Sequence, residues 1–241
     1  MEEGGIAILN ADDPAVAAMA VLAPEDTFTF GTGIGADVRV TGVRLDSRGR
    51  PSFRLHTGQG DADVSLRLVG AHQAMNAAAA TAAALIEGIP LETIVEALGR
   101  VTELSKWRME LTERDGITFL NDAYNANPES MRAGLDALAS IGAAEDVTRT
   151  VAVLGEMKEL GEESAEAHRG VGAYAREIGI DAALVIGKAA RGTHEAFPDS
   201  VFVASNDEAV AWLREHLRPG DAVLFKASNG ARLYEVAEAL Q

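Results

Sequence analysis

Residues 116–131 read Gly-Ile-Thr-Phe-Leu-Asn-Asp-Ala-Tyr-Asn-Ala-Asn-Pro-Glu-Ser-Met, and this stretch decides the fold of the second half of the chain. Residues 116–120 form a short apolar, β-rich run that starts at a turn residue, a pattern typical of a buried strand. Asn127 can cap a helix that has Pro128 at its first position, and apolar side chains then follow on one helical face. The stretch therefore predicts a strand, a loop and a helix in succession.

The loop of this unit is the best candidate for ligand contact. In open α/β sheets, ligands bind at the carboxyl ends of strands, where helix N-termini point amide groups outward. Asp122, Tyr124, Asn125 and Asn127 bring several hydrogen-bonding groups into the loop. Because Asn and Asp are also common caps and turn formers, the residues by themselves leave a purely structural role open.

Beyond Trp107 the chain alternates between apolar runs and helical patterns. The predicted strands are residues 117–120, 150–154, 182–186, 201–203 and 222–225. The predicted helices are residues 128–141, 162–178, 188–196, 206–216 and 231–240, and the capping box Ser205-Asn206-Asp207-Glu208 opens one of them. Such alternation predicts a mostly parallel sheet with helices on its faces.

The first half of the chain has a different pattern. Residues 6–10 and 27–31 are predicted as buried strands, with an Ala-rich helix between them that extends to about Leu22. Residues 37–69 alternate with a period of two and predict an antiparallel meander of three or four strands. Helices are predicted at residues 77–86 and 91–98. The polar residues 102–106 suggest a boundary between domains 1–104 and 105–241.

Two details of the first half bear on function. A central parallel strand needs neighbours on both sides, and nothing upstream of residue 6 supplies one, which first suggests a fragment. Gly31-Thr32-Gly33-Ile34-Gly35 has the glycines of a phosphate loop but lacks the Lys-Ser/Thr pair and a following helix. We therefore predict a turn there.

Composition excludes several classes of protein. The 37 acidic and 21 basic residues give a formal net charge of −16, which disfavours nucleic acid as a partner. There is no cysteine, and neither a signal peptide nor an apolar run long enough for a membrane span is present. We expect a cytoplasmic, globular protein without membrane insertion, and we favour a monomer.

Several motifs together resemble a known family. They are Gly70-Ala71-His72-Gln73-Ala74-Met75-Asn76, Trp107-Arg108-Met109-Glu110, Asn121-Asp122-Ala123-Tyr124-Asn125-Ala126-Asn127-Pro128, and Leu154-Gly155-Glu156-Met157-Lys158-Glu159-Leu160-Gly161 with His168. In order and spacing they resemble the Mur ligases over nearly the whole chain. The third and fourth of these motifs most resemble the sequence of the family member that joins D-alanyl-D-alanine to UDP-N-acetylmuramoyl-tripeptide.

The resemblance implies an α/β fold composed of the second half of a Mur-ligase central domain, with parallel strands and an antiparallel meander, followed by a Rossmann-like C-terminal domain. It implies amide formation through an acyl phosphate, with ATP and Mg²⁺, in peptidoglycan synthesis. The family's phosphate loop and metal-holding residues are not found in this sequence. We therefore expect an N-terminally truncated chain that is inactive alone, with the metal ligands in the part not present.

The resemblance also implies roles for individual residues. The residues implied in catalysis are Arg108, Asp122 and Lys158. Those implied in nucleotide binding are His72, Asn76, Arg108, Asp122, Tyr124 and Asn125, and His72 and Asn76 share one face near a helix start. Those implied in substrate binding are Asn127, Glu156, His168, Lys226 and Ser228. Gln73 and Asn229 depart from the family pattern, which puts one adenine contact and one substrate or phosphate contact in doubt.

Three other functions compete with this interpretation. A sister amide ligase, such as the enzyme that adds the third peptide residue or a folylpolyglutamate synthase, has the same architecture, but the loop at 124–128 argues against both. A non-catalytic nucleotide-binding fragment is the second alternative. A dinucleotide oxidoreductase is the least favoured, because no Gly-x-Gly-x-x-Gly follows the predicted strands.

Overall fold

The computed structural model describes residues 5–23, 26–102 and 106–240 of the 241-residue chain. The chain forms two compact units, and the division lies at about residue 102. The first unit takes in nearly all of the residues before that point. Each unit has its own sheet.

The sheet of the first unit combines parallel and antiparallel strands. Its strands, in spatial and chain order, are β1 (Ile6–Asn10), β2 (Asp26–Gly31), β3 (Val38–Leu45), β4 (Pro51–Thr57) and β5 (Gly60–Ser65). Strands β1, β2 and β3 run parallel, whereas β3, β4 and β5 form an antiparallel meander. Along β4, Phe53 and Leu55 are buried and Ser52 and Arg54 are exposed. The predicted meander is therefore confirmed, with three strands.

Helices α2 (Gln73–Ile86) and α3 (Leu91–Arg100) pack with this sheet. Ala74, Ala78 and Ala82 recur every four residues on α2 and are fully or almost fully buried. Because alanine adds only a methyl group, α2 can lie close to the strands. Helix α2 begins at Gln73, four residues before the predicted start at residue 77.

Two predictions for the start of the chain were wrong in detail. Strand β1 lies at the edge of the described sheet, and Leu9 is its one buried residue. The predicted Ala-rich helix is a short helix α1 (Pro14–Ala17) followed by a 3₁₀ segment, Ala18–Leu22, and none of these residues is buried. Residues 31–35 form a bend rather than a helix N-terminus, as we predicted.

The sheet of the second unit has six strands. They are β6 (Glu110–Arg114), β7 (Ile117–Asn121), β8 (Arg149–Leu154), β9 (Ala182–Ile186), β10 (Val201–Val203) and β11 (Asp221–Lys226), in the spatial order β10-β9-β8-β11-β7-β6. All neighbouring pairs are parallel except β6 and β7. The predicted α/β class and the mostly parallel sheet are confirmed.

Strand β6 was not predicted. Its sequence, Glu-Leu-Thr-Glu-Arg, is too polar for a buried run, because β6 lies at the edge of the sheet. It joins β7 through Asp115 and Gly116, both with positive φ (53° and 75°), the conformation of a two-residue hairpin turn. The Asp-Gly pair was therefore the signal for this strand.

Among the described residues, five helices cover the two faces of the second sheet. They are α4 (Pro128–Gly142), α5 (Ser164–Glu177), α6 (Arg191–Ala196), α7 (Asn206–His216) and α8 (Leu233–Glu238). Helices α4, α5 and α6 pack side by side on one face, and α7 and α8 pack together on the other. This arrangement follows from the strand order, because connections between parallel strands are right-handed. The connections from β7 to β8, β9 and β10 run one way along the sheet and place α4, α5 and α6 on one face. The connection from β10 to β11 runs back and places α7 on the other face. The five predicted helices are confirmed.

Helices α5 and α6 approach each other closely at Gly172. A Cβ atom at this position would lie 2.1 Å from the backbone oxygen of Thr193. The Thr193 hydroxyl in turn donates a hydrogen bond to the backbone oxygen of His168 (3.0 Å). The absence of a side chain at residue 172 thus permits this helix contact.

An ion pair between a half-buried arginine and a buried aspartate joins β8 and β11 at their amino ends. The guanidinium of Arg149 donates to both carboxylate oxygens of Asp221, at 2.9 and 2.6 Å, and Asp221 is 2% exposed. The backbone N–H of Arg218 also donates to this carboxylate (2.8 Å). These hydrogen bonds raise the pKa of Arg149, although desolvation opposes them. The pair lies at the edge of the sheet opposite the loops discussed below.

We predict that Arg149→Met lowers the free energy of unfolding by about 2–3 kcal/mol, because it leaves the Asp221 carboxylate buried without its cation. Urea unfolding followed by circular dichroism measures the change. Arg114→Met is the matched control, since the Arg114–Asp115 pair is exposed and should contribute less than about 1 kcal/mol. Equal stability of the two variants would contradict the prediction.

Candidate functional site

A capping box at the start of α4 holds the loop between β7 and α4. The side chain of Asn127 accepts a hydrogen bond from the backbone N–H of Ser130 (2.7 Å), and the backbone N–H of Asn127 donates to the Ser130 hydroxyl (3.0 Å). Pro128 occupies the first helical position. The predicted strand–loop–helix unit is confirmed, and the Asn127 side chain serves at least as its cap.

A buried ion pair connects this loop to β11. The ammonium group of Lys226 donates to the Asp122 carboxylate and to the backbone oxygen of Asn125 (3.1 Å). Lys226 is 2% exposed, and the backbone N–H of Asp122 donates to the backbone oxygen of Phe225 (2.9 Å). The charge on Lys226 is therefore neutralised within the protein, whereas we had expected this residue to bind substrate.

The Lys226 side chain extends past helix α4 at Gly134. A Cβ atom at this position would lie 2.8 Å from Cδ of Lys226. A glycine inside a helix costs about 1 kcal/mol relative to alanine. Here the small residue makes room for the lysine chain, so that its ammonium can reach Asp122.

A strained segment presents Arg108 next to the same loop. Trp107 and Met109, on either side of Arg108, have positive φ values of 61° and 51°, which cost energy for residues other than glycine. The backbone oxygen of Trp107 accepts from the N–H of Tyr124 (3.1 Å), and the N–H of Met109 donates to the Asp122 carboxylate (3.2 Å). The guanidinium of Arg108 lies 4.2 Å from the centre of the Tyr124 ring. Both side chains are exposed.

Trp107 fixes the other side of this segment. Its ring stacks on Tyr234 of α8, with centroids 3.9 Å apart and an interplanar angle of 14°. Its indole N–H donates to the Glu238 carboxylate (3.0 Å). Sequence analysis identified the Trp-Arg-Met-Glu motif but not Tyr234 or Glu238, because nothing in the sequence of α8 links it to residue 107.

A second set of contacts joins the loops that follow β8 and β11. The backbone N–H of Ser228 donates to the backbone oxygen of Glu156 (2.8 Å), and the Ser228 hydroxyl accepts from the N–H of Lys158 (2.9 Å). The same hydroxyl lies 3.4 Å from the backbone oxygen of Ala126. Ser228 is buried, and it connects three loops at the carboxyl ends of β7, β8 and β11.

These three loops enclose an open cavity of about 330 Å³, which we call the Lys158 cavity. Its lining residues include Asn125, Asn127, Lys158, Ser228 and Gly230. Lys158 is exposed and forms no salt bridge among the described residues. A Cβ atom at residue 230 would lie 2.5 Å from the Lys158 ammonium, so the bare glycine allows the ammonium to rest there. The cavity is therefore lined by one cation, three carboxamides and a hydroxyl, together with the carboxylate-bearing Glu159.

His168, implied in substrate binding by the sequence motifs, lies in the interior of the second unit. Its side chain is fully buried on α5, Nε2 accepts from the backbone N–H of Met157 (3.0 Å), and Nδ1 lies 2.7 Å from the backbone oxygen of Ser164. Both ring nitrogens are thus used within the protein. His168 therefore positions the loop after β8. A single sequence position does not reveal which way a helical side chain points, so the sequence did not predict this burial.

The two residues predicted from the first unit lie at the start of α2. His72 immediately precedes the helix and is half-buried, and Asn76 is exposed. The Asn76 carboxamide donates to the Gln73 side chain (3.0 Å). Gln73, one of the two departures from the family pattern, thus orients Asn76.

Residues 5–23, 26–102 and 106–240 contain no group of three or more His, Asp or Glu side chains arranged to hold a metal ion. Over the same ranges, no helix has both the length and the apolar character required to cross a bilayer.

The parallel sheet with polar loops along its carboxyl edge is the arrangement of a nucleotide- or substrate-binding α/β domain, and comparison with known proteins identifies the family. The Mur ligase middle domain matches residues 1–84, and the glutamate ligase domain of Mur ligases matches residues 107–229. The chain belongs to the Mur ligase family, as the sequence motifs had indicated.

Individual relatives agree with this assignment. The chain is 43% identical to the UDP-N-acetylmuramoyl-tripeptide–D-alanyl-D-alanine ligase of Mycobacterium tuberculosis, over 98% of this chain and 51% of the relative. It is 31% identical to the Escherichia coli ligase of the same name, over 100% of this chain and 53% of the relative. A crystal structure of MurF from Acinetobacter baumannii has a TM-score of 0.88 at 28% identity and covers 100% of this chain and 52% of that one. The chain thus spans about half the length of these relatives.

We predict that Asp122→Ala lowers the free energy of unfolding by about 3–4 kcal/mol, because the Lys226 ammonium is left buried without its carboxylate. The double variant Asp122→Ala/Lys226→Met should lose less than the single variant, since it removes both charges. Chemical denaturation of the single and double variants measures this coupling. Asp199→Ala, an exposed carboxylate in the same unit, is the control, and additive losses would rule out the coupling.

We predict that Trp107→Ala costs about 2–3 kcal/mol of stability, because it removes the stack on Tyr234 and the hydrogen bond to Glu238. Trp107→Gly should cost up to about 1 kcal/mol less, since glycine adopts a positive φ without strain. Thermal unfolding of the two variants provides the comparison. An alanine variant as stable as the parent protein would show that the stack contributes nothing.

Proposed function

We propose that the protein containing this chain is an ATP-dependent ligase that joins D-alanyl-D-alanine to UDP-N-acetylmuramoyl-tripeptide. The names of the relatives at 43% and 31% identity state this reaction for those proteins. The observation that carries the proposal here is the exposed Arg108 guanidinium, which lies 4.2 Å from the centre of the Tyr124 ring. Hydrogen bonds of the flanking residues Trp107 and Met109 hold the backbone on either side of it. Such a reaction belongs to peptidoglycan synthesis, and its nucleotide-linked substrate suggests a cytoplasmic location.

The second unit supplies groups suited to a nucleotide. Arg108 is always charged and has a planar fork of donors that matches phosphate oxygens, and it forms no salt bridge within the described residues. Tyr124 is 38% exposed and offers an aromatic face. In the proposed complex Arg108 contacts the phosphates, and Asp122 and Asn125 lie towards the ribose. For the first unit, the motif resemblance alone supports His72 and Asn76 as adenine contacts.

The proposed chemistry has two steps. A carboxylate oxygen of the muramoyl tripeptide attacks the γ-phosphorus of ATP, which gives an acyl phosphate and ADP. The amine of D-alanyl-D-alanine then attacks the acyl carbon, phosphate leaves, and the nitrogen loses a proton as the amide forms. Negative charge develops on phosphoryl oxygens in the first step and on the acyl oxygen in the second. The Lys158 ammonium, with the Asn127 carboxamide nearby, can stabilise that charge.

Magnesium belongs to the expected reaction of the family, and it would offset charge on the ATP phosphates. The described residues contain no cluster of carboxylate and imidazole groups that fits it. We therefore assign no residue of this chain to the metal and no step to it.

We predict that the protein, purified as the cell makes it, forms the amide with D-alanyl-D-alanine and releases ADP, but accepts neither a diamino acid nor glutamate in its place. A coupled assay of ADP release with detection of the product measures this. A preference for a diamino acid or for glutamate would instead support a sister ligase.

Within that assay, Arg108→Ala should lower kcat/KM for ATP by about 10²–10³-fold, because a charged contact to the phosphates is lost. Arg114→Ala, an exposed arginine on β6, should leave it within about twofold of the parent value. Unchanged ATP kinetics in the Arg108 variant would remove the observation on which the proposal rests.

A further inference from the structure

The segment that carries Arg108 is attached to helix α8. The Trp107 ring stacks on Tyr234, and the Trp107 indole N–H donates to the Glu238 carboxylate. Tyr234 and Glu238 are four positions apart and therefore lie on the same face of the helix. Neither residue belongs to the sequence motifs that indicate the family. We call the contact of Trp107 with these two residues the α8 clamp.

We propose that Tyr234 and Glu238 are positioning residues for the ligation reaction. They act through Trp107 and hold the Arg108 guanidinium where it meets the ATP phosphates. The inference rests on the proposed function, and it extends that function to residues that act through another side chain.

The backbone on both sides of Arg108 has an unfavourable conformation. Trp107 and Met109 have φ values of 61° and 51°, and residues other than glycine keep such values only where their surroundings enforce them. A relaxation at either residue would redirect the Arg108 side chain between them. Strain of this kind is common at sites that hold a functional group in one orientation. The contacts that enforce the strain therefore also decide where the guanidinium lies.

The two sides of Arg108 are enforced in different ways. Met109 has a buried side chain, and its backbone N–H donates to the Asp122 carboxylate. Trp107 is half-buried, and the stacking and hydrogen-bonding partners of its ring within the described residues both lie on α8. Without the α8 clamp, only backbone hydrogen bonds would hold residue 107. Its N–H donates to the Glu110 carboxylate (3.3 Å), and its oxygen accepts from Tyr124.

Helix α8 is a fixed support for this contact. Its buried side chains belong to the core of the second unit. Asn206 of α7 donates to the backbone oxygen of Ala231 (3.0 Å), just before α8, and Arg214 of α7 donates to that of Ala239 (3.1 Å), just after it. Both ends of α8 are thus fixed to one neighbouring helix. A ring that stacks on α8 is therefore held in one place.

Strand β6 does not need the α8 clamp. All five of its residues pair with β7, and the turn at Asp115 and Gly116 closes the hairpin. The Trp107 ring belongs to a residue ahead of the strand and next to Arg108. A role in positioning Arg108 and a general role in packing therefore predict different kinetics.

The test begins with the ligation kinetics of Tyr234→Ala. The kcat/KM for ATP should fall about 10–100-fold, because a displacement of about 1 Å in an oriented group can cost that much. The KM for D-alanyl-D-alanine should stay within about twofold of the parent value. Tyr234→Phe keeps the ring and should retain most of the parent kcat/KM.

The matched control is Trp212→Ala. Trp212 is a half-buried aromatic residue on α7 whose ring stacks on His216, with centroids 4.3 Å apart. Its loss removes a comparable stack away from Arg108, so the kcat/KM for ATP should stay within about twofold of the parent value. A loss as large as that of Tyr234→Ala would overturn the positioning role.

The hydrogen bond to Glu238 gives a test that does not depend on the stability of the Tyr234 variant. Glu238 is exposed, so Glu238→Leu should fold normally. Its kcat/KM for ATP should fall about 3–10-fold, because the indole N–H loses its acceptor. Glu238→Gln keeps an acceptor oxygen and should retain most of the parent value. Unchanged kinetics in Glu238→Leu and in Tyr234→Ala would overturn the proposal.

A double-mutant cycle shows whether α8 acts through Arg108. In an Arg108→Ala background, Tyr234→Ala should change the kcat/KM for ATP by less than about twofold, because no guanidinium is left to position. Equal losses in the two backgrounds would mean that Tyr234 acts independently of Arg108, and the proposal would be wrong.

Amide hydrogen exchange in the nucleotide-free protein separates this inference from the proposed function. The Tyr124 N–H donates to the Trp107 backbone oxygen, so it should exchange about tenfold faster in Tyr234→Ala and at the parent rate in Trp212→Ala. If this acceleration occurs in a protein that forms no amide, the ligase proposal fails and the α8 clamp stands. Ligation by the parent protein, with unchanged exchange at Tyr124 in Tyr234→Ala, overturns the clamp alone.

Discussion

The ion pair between Asp122 and Lys226 is the constraint on which the second unit's carboxyl edge depends. Two charges in the interior are costly unless each meets an opposite charge and further hydrogen bonds. Lys226 satisfies this requirement with the Asp122 carboxylate and the Asn125 backbone oxygen. Asp122 also receives the N–H of Met109. The pair therefore fixes the loop after β7, the end of β11 and the segment that carries Arg108 relative to one another.

The polar residues around this pair form two groups. Those of one group form hydrogen bonds or ion pairs within the protein, and those of the other are exposed and free to contact a ligand. Lys226, Ser228 and His168 are buried and have partners within the fold. Arg108 and Lys158 are exposed cations without carboxylate partners among the described residues. The first group holds the loops in place, and the second presents positive charge where the loops meet. Charged groups that are held rigidly can stabilise the charge that develops in a transition state without having to reorganise, as water molecules would.

Much of the fold could be predicted from the sequence because local signals were strong. The capping residues at 127 and 205 and the apolar runs of the parallel strands each fixed an element. Strand β6 was not predicted because its polar residues do not form the apolar run that is typical of a buried strand. Side-chain direction was harder: His168 faces inward, and Lys226 is paired with a residue 104 positions away. Contacts of that range depend on how the elements pack, and no local pattern encodes them. The assignments of Arg108, Asp122 and Lys158 to catalysis stay predictions.

The close contact at Gly172 has a consequence for engineering. Replacing helix glycines by alanine is a common route to thermostable variants, since it reduces the entropy of the unfolded chain. At residue 172 the added methyl group would collide with the Thr193 backbone, whereas at Gly170, two residues earlier on the same helix, a Cβ meets nothing within 4 Å. A designer would therefore begin at 170 and leave 172 alone, although both glycines look equally dispensable in the sequence.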